Sequence, residues 1–300
     1  MSRTQTVPDL YDATRSGLQS APKELPAVWL YDERGSQLYE QITGLPDYYL
    51  PRREAEILRA HASDIAQRTG ARTLVELGPG NAANTRFLLD ALELDRYVAI
   101  DVSAEMLHET ARELAAEYPD LSVAEVAGDF ERDLRSLPGG RSRLIAVLGS
   151  TIGNLYPEQR AALLAMLAGE SILLGIDLVK DPARLEAAYN DVGGVTEAFV
   201  RNSLTAVNRE VGATFEQRQF VYEARWDEDN EWVDIGLRAR AAHAVVVERL
   251  ELELAFEAGE WLRVEISSKF RRERFTKELD RVDAWWTDPA GNFAVVLAGS

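Results

Sequence analysis

The residues of this chain that could do chemistry fall in a few short stretches. The run Thr73-Leu74-Val75-Glu76-Leu77 leads into Gly78-Pro79-Gly80-Asn81 and then into a helical pattern from about Asn84 to Leu92. Glycines at such a turn let a ligand approach the backbone, and the helix start behind them offers unpaired N–H groups to a carboxylate or phosphate. A second strand, twenty-odd residues on, ends at Asp101, whose carboxylate can accept both hydroxyls of a ribose. A third leads to Gly128-Asp129-Phe130, a carboxylate for an adenine amino group and an aromatic face for its ring. Gly78, Gly80 and Ala83 also satisfy the loose dinucleotide fingerprint, a weak pattern by itself. The residues alone therefore leave several ligands open, as well as a glycine turn that serves none.

These stretches need a scaffold, and the hydrophobic pattern supplies one. Ile57, Leu58, His61 and Ile65 recur at helical spacing between Arg53 and Gly70, with Gly70 where a helix would stop. Apolar runs at Thr73–Leu77, Tyr97–Ile100, Leu121–Val126, Leu144–Leu148 and Ile172–Ile176 then alternate with helical patterns at Asn84–Leu92, Ala104–Glu117 and Pro157–Leu167. Such alternation predicts a doubly wound parallel sheet. The rhythm stops near Tyr189, and from about Gln217 the period becomes two: Phe220-Val221-Tyr222, Trp232 to Arg240, and Leu250 to Leu254. That is an antiparallel signature. Ala284-Trp285-Trp286 and Phe293 to Leu297 flank a turn-rich link and predict a terminal hairpin, preceded by a helix at about Phe275 to Leu279. The expected organisation is an α/β domain at 53–187 and 270–300, with a second domain from 1–52 and 188–269.

Composition narrows the partners. In 300 residues, 33 basic side chains face 50 acidic ones, a formal net charge of -17 that repels phosphate backbones and anionic lipid surfaces. Neither nucleic acid nor a membrane is expected as a partner. There is no cysteine, and His61, His108 and His243 lack ligand spacing, so no metal is expected. Asp9, Asp12 and Arg15 interrupt the opening segment, which reads as neither leader nor span, and a cytoplasmic protein is expected. Nothing in the composition calls for an obligate dimer, and a monomer is expected.

Glu76 two residues before the first glycine, Pro79 within the loop, Asp129-Phe130 after the third strand and the terminal hairpin together resemble class I S-adenosylmethionine-dependent methyltransferases. The resemblance favours that cofactor over a nicotinamide or flavin dinucleotide. Longer stretches are more specific. Trp29 to Tyr39, Ile42 to Tyr49, Leu148 to Leu155, Asp177 to Asp181, Gly194 to Thr196, Val207 to Glu210, Ser268 to Arg271 and Trp285 to Pro289 are similar, in order and through nearly the whole chain, to the histidine Nα-methyltransferases of ergothioneine biosynthesis.

The resemblance implies a class I methyltransferase, Rossmann-like doubly wound sheet with an inserted α+β substrate-binding domain. It implies three methyl transfers from S-adenosylmethionine to the α-amino group of free L-histidine, giving hercynine. Gly78, Asn84, Asp101, Asp129 and Phe130 would contact the cofactor. Tyr31, Tyr48, Gly149, Asn154, Tyr189, Ile235, Glu265 and Ser267 would line the substrate site, with Tyr31 and Asn154 holding the reacting nitrogen. Strand alternation places Glu265 and Ser267 on one face, side chains roughly 7 Å apart, a spacing that suits the two nitrogens of an imidazole. Without the resemblance the same pair, beside Lys269, reads as a solvated strand face, Asn154 as a turn residue after Gly153, and the tyrosines as packing residues.

The chain departs from the family pattern in places. Asn84 stands where the family often has a lysine, Pro79 replaces a small polar residue, and Ile235 replaces a frequent methionine, which changes the shape of the pocket. Leu50-Pro51 follows Tyr49 where the family tends to have proline then threonine, and the segments around Gly169–Ile172 and Arg281–Trp285 are shorter. The competing readings are an Nα-methyltransferase of another aromatic amino acid such as tryptophan, and a catalytically silent ligand-binding relative.

Overall fold

The computed structural model describes residues 7–128 and 142–299. Within them the chain forms two compact units, one from Tyr49–Lys180 and Ser268–Ser300, the other from Gln5–Tyr48 and Asp181–Ser267. The seams fall a few residues before those expected, because Tyr49, Lys180 and Lys269 all turn inward on one carboxylate of the first unit.

The first unit is built on seven described strands: β1 (Thr73–Leu77), β2 (Arg96–Asp101), β3 (Ser122–Ala127), β4 (Arg143–Val147), β5 (Ser171–Asp177), β6 (Arg281–Thr287) and β7 (Phe293–Gly299). Their order across the sheet is β6-β7-β5-β4-β1-β2-β3. The first five are parallel, while β7 lies antiparallel between β5 and β6. Val75, Leu77, Val98, Ile100, Ile145, Val147, Leu174 and Ile176 form a core with Phe270 and Phe275. The central strands read as continuous apolar runs because both faces are covered.

The helix Leu50–Thr69 precedes β1. Proline in its first turn costs no hydrogen bond, Ile57, Leu58 and Ile65 are buried, and Gly70 at φ +53° ends it in the left-handed conformation. Two expectations shift. The short helix before β6 spans Arg272–Phe275, not Phe275–Leu279: both apolar residues are buried as their spacing implied, but Phe275 ends the helix and turns carry the chain to Leu279. The helix behind the glycine loop starts at Arg86 instead of Asn84, because Asn84 and Thr85 spend their side chains on buried carboxylates.

The second unit joins helices to antiparallel strands. Phe220–Asp227 pairs antiparallel with Trp232–Ala239, Trp261–Ser268 lies beside the latter, and Lys23–Glu24 adds a short parallel edge. Gly236 has no alternative here, since a Cβ would collide with the Leu262 carbonyl and the Trp261 ring. A separate pair, His243–Val247 with Leu252–Phe256, holds the alternating leucine run; Leu250 itself lies in a 3₁₀ turn. Val7–Leu18, Glu33–Thr43 and Val195–Val211 are helical. Asp32 joins the latter two: it caps one by accepting the Gly35 N–H at 2.9 Å, and it accepts from Asn202 at 2.6 Å and Arg209 at 3.1 Å on the other. No described helix is long and apolar enough to cross a membrane.

Candidate active site

In the first unit the strand order reverses between β1 and β4, and the loops leaving these two strands are where an open sheet gathers ligands. After β1, Gly78 and Gly80 take φ of +70° and +54°. A Cβ on Gly80 would meet nothing within 4 Å, so the loop bends around open space. Asp101, at the end of β2, accepts the Ser103 N–H at 3.0 Å and the N–H groups of Gly80 and Val102. Burial holds its carboxyl above the ordinary range, and those three donors offset part of the effect. Glu76 is buried within β1 and accepts the hydroxyls of Thr85 and Tyr97, each at 2.7 Å. Burial raises its pKa to about 7.

After β4 the backbone turns through two left-handed residues, Gly149 (φ +68°) and Ser150 (φ +61°), into a 3₁₀ turn ending at half-buried Asn154. The Gly149 N–H donates to Glu54 Oε1 at 2.8 Å, and Asn84 Nδ2 donates to Glu54 Oε2 at 2.8 Å and to the Pro51 carbonyl at 3.0 Å. Glu54 therefore braces the two expected ligand loops against each other. Glu54 is 1 % exposed, and burial pushes its pKa to about 7 against the pull of both donors. Room for it exists because residue 175 is glycine: a Cβ there would overlap Glu54 Oε1. Sequence reading passed Glu54 over, as an acid beside Arg52, Arg53 and Glu56 on a helix resembles a solvated face. Asp129 and Phe130 lie outside the described residues.

The second unit gathers its own expected set. Tyr31 OH donates to Glu265 Oε1 at 3.3 Å, and the hydroxyls of Tyr189 and Ser267 are 2.8 Å apart. The rings interlock edge to face: Tyr31 with Tyr39 at 5.8 Å and Phe199 at 5.5 Å, Tyr39 with Tyr48 at 6.5 Å, Tyr48 with Tyr189 at 5.8 Å. Seven residues are thereby linked, five of them from the expected set: a half-buried carboxylate and a buried hydroxyl on one strand are each met by a phenol from another element. Tyr222 donates its hydroxyl to the Tyr189 carbonyl and fixes that segment. Ile235 is buried in the strand beside them and pairs with Ala224. Tyr39, Phe199 and Tyr222 were not singled out in the sequence; the 3–4 spacing of Thr196, Phe199, Val200 and Ser203 was the available signal. Burial, then neighbouring phenols, keep the Tyr48 hydroxyl well above its ordinary pKa, and burial does the same for Tyr222. Both remain hydrogen-bond donors and neither is a base near neutrality.

A profile of the histidine-specific, S-adenosylmethionine-dependent methyltransferases matches residues 10–300. The chain belongs to that family. It is 48% identical over 297 residues to the histidine N-alpha-methyltransferase of Mycolicibacterium smegmatis, covering 95% of this chain and 92% of that one. The enzyme of the same name from Mycobacterium tuberculosis is also 48% identical, covering 94% and 92%. Ergothioneine biosynthesis protein 1 of Neurospora crassa is 32% identical over 290 residues, covering 89% of this chain and 32% of its own length. Membership makes the chain an S-adenosylmethionine-dependent methyltransferase acting on an amino acid, with the class I order of strands.

Proposed function

We propose that this methyltransferase places three methyl groups on the α-nitrogen of free L-histidine, forming hercynine for ergothioneine biosynthesis. The observation that carries the histidine reading is the pair Glu265 and Ser267, each joined to a phenol of the aromatic set. A carboxylate pairs with one imidazole N–H, and a hydroxyl donates to or accepts from the other ring nitrogen. An indole offers a single N–H and would leave one of the two protein groups without a partner.

The first unit is the side we assign to the cofactor. Open space at Gly80 and a carboxylate at the end of β2 suit a nucleoside with an amino-acid tail, with Asp101 toward the ribose and Gly78 and Asn84 along the loop. When bound, S-adenosylmethionine supplies an electrophilic methyl on a sulfonium. Displacement at that carbon needs a nitrogen lone pair held in line, so the protein's main work is orientation. Tyr48, Tyr189 and Ile235 shape the substrate pocket, while Gly149 and Asn154 meet the amino-acid head, Asn154 through an amide that both donates and accepts. Tyr31 and Asn154 hold the α-nitrogen. An α-amine titrates near ~8, so modest desolvation frees its lone pair without a strong base. As methyls accumulate the nitrogen loses donors and ends as a fixed cation, which aromatic faces favour. Asp129 and Phe130 are assigned to the adenine, and the protein is expected to act as a monomer without nucleic acid.

The test is mass spectrometry of products from labelled S-adenosylmethionine and a panel of free amino acids. Three methyls on histidine and little on tryptophan is the expected result. Methylation of tryptophan in preference, or cofactor binding without turnover, overturns the proposal. Glu265→Ala should raise the histidine KM by about ten-fold or more, as expected for losing a hydrogen bond to a charged group, with cofactor affinity unchanged.

A further inference from the structure

Three of the stretches that carry the family likeness found no use in the site above: Tyr49, Asp177 with Lys180, and Lys269. The fold brings them to one point within the first unit. Asp177, the last residue of β5, is fully buried. It accepts the Tyr49 hydroxyl at 3.1 Å on Oδ1 and 2.9 Å on Oδ2, Lys180 Nζ lies 2.5 Å from its Oδ1, and Lys269 Nζ lies 3.1 Å from its Oδ2. Lys180 also donates to the Tyr49 oxygen at 2.7 Å, and its ammonium stands 4.7 Å from the Tyr49 ring centroid. The main chain closes the same knot: Phe270 N–H donates to the Asp177 carbonyl at 2.8 Å, Val179 N–H to the Phe270 carbonyl at 3.0 Å, and Asp177 N–H to Ser150 Oγ at 3.2 Å.

The places of these residues along the chain explain the knot. Among the described residues the chain passes between its two units three times, at Tyr48/Tyr49, Lys180/Asp181 and Ser267/Ser268. Tyr49 and Lys180 are the first-unit residues at two of those passages, and Lys269 is one residue inside the third. A single carboxylate thus holds the roots of all three. Each contact to the carboxylate is directional, which an apolar cluster filling the same space would not supply.

We propose that Asp177 is a positioning residue for histidine binding, acting through Tyr49, Lys180 and Lys269. The inference rests on the histidine reading above. Tyr48 is peptide-bonded to Tyr49, and Ser267 stands two residues before Lys269, so the knot anchors the chain immediately beside two of the assigned substrate residues. Loosening it should disturb these two more than Asp101, whose carboxylate is held by the N–H groups of Ser103, Gly80 and Val102.

The experiment compares wild type, Tyr49→Phe, Lys180→Met, Lys180→Arg and Asp177→Asn. Histidine KM is read from turnover, and S-adenosylmethionine affinity and thermal midpoint are measured on the same preparations. Tyr49→Phe, which removes one oxygen atom, should raise histidine KM about ten-fold while cofactor Kd stays within about two-fold. Lys180→Met should do the same, and Lys180→Arg should recover most of the loss. Asp177→Asn should be the most severe, and if it does not fold the tyrosine and lysine variants still decide. Equal shifts in both ligands, or a lowered midpoint with histidine KM within about two-fold of wild type, overturn the positioning role. Wild type that fails to methylate histidine refutes the function instead, and the two failures are distinct.

Discussion

Replacing Glu54 by glutamine should change how stability responds to pH. The Glu54 carboxyl has its pKa raised from 4.5 to about 7 by burial. A raised carboxyl pKa means that the folded chain holds its proton over a range where the unfolded chain has lost it. Its contribution is fully present below about 4.5 and is lost as pH rises through about 7. The difference is worth roughly 3 kcal/mol between about pH 4.5 and about pH 8. Glutamine carries no such dependence. It does carry a mismatch, since Gly149 N–H and Asn84 Nδ2 both donate toward Glu54 and an amide offers one acceptor and one donor group. That mismatch costs about 1–3 kcal/mol at every pH. Urea unfolding across this pH range should therefore show the variant less stable than wild type under acidic conditions. The gap should close by roughly 3 kcal/mol as pH rises, because the wild type falls and the variant does not share the fall. Glu76, whose pKa is also about 7 and is raised partly by Glu54, titrates in both proteins and leaves a residual slope in the variant. Parallel stability curves, differing by a constant within about 0.5 kcal/mol, would show that Glu54 is not buried as a shifted acid and would refute the reasoning.

Gly175→Ala should destabilise the first unit by about 2 kcal/mol or more, since its Cβ would overlap Glu54 Oε1; Glu54→Ala in the same chain should return part of the loss in a denaturation series. Asp101→Asn should weaken S-adenosylmethionine binding about ten-fold or more by calorimetry while histidine specificity is kept, and unchanged affinity would remove the ribose assignment. Asp32→Ala takes a cap from Glu33–Thr43 and a partner from Asn202 and Arg209, so the unfolding free energy should drop by about 1–2 kcal/mol.

Local sequence determined much of the frame. Runs such as Thr73–Leu77 and Ile172–Ile176 became central strands because only continuous apolar segments survive burial on both faces. Gly78 and Gly80 marked their turn because few other residues take positive φ without strain. Phe293 to Leu297 declared its strand for the same reason of burial, whereas the helix Val195–Val211 went unread amid the polar residues of its exposed face. The period of two in Val264 to Ser268 put Glu265 and Ser267 on one face.

What the tertiary structure decided is the state of the charged groups. Glu54 reads as a surface acid until Gly175, on a distant strand, gives it a cavity and the loops after β1 and β4 give it two donors. Asp177, Tyr49, Lys180 and Lys269 have no mutual spacing in the chain that would announce them as one cluster. Apolar periodicity is written locally because a helix or strand has a fixed repeat. The partners of a buried charge are chosen by how those elements come together, and no local repeat encodes that.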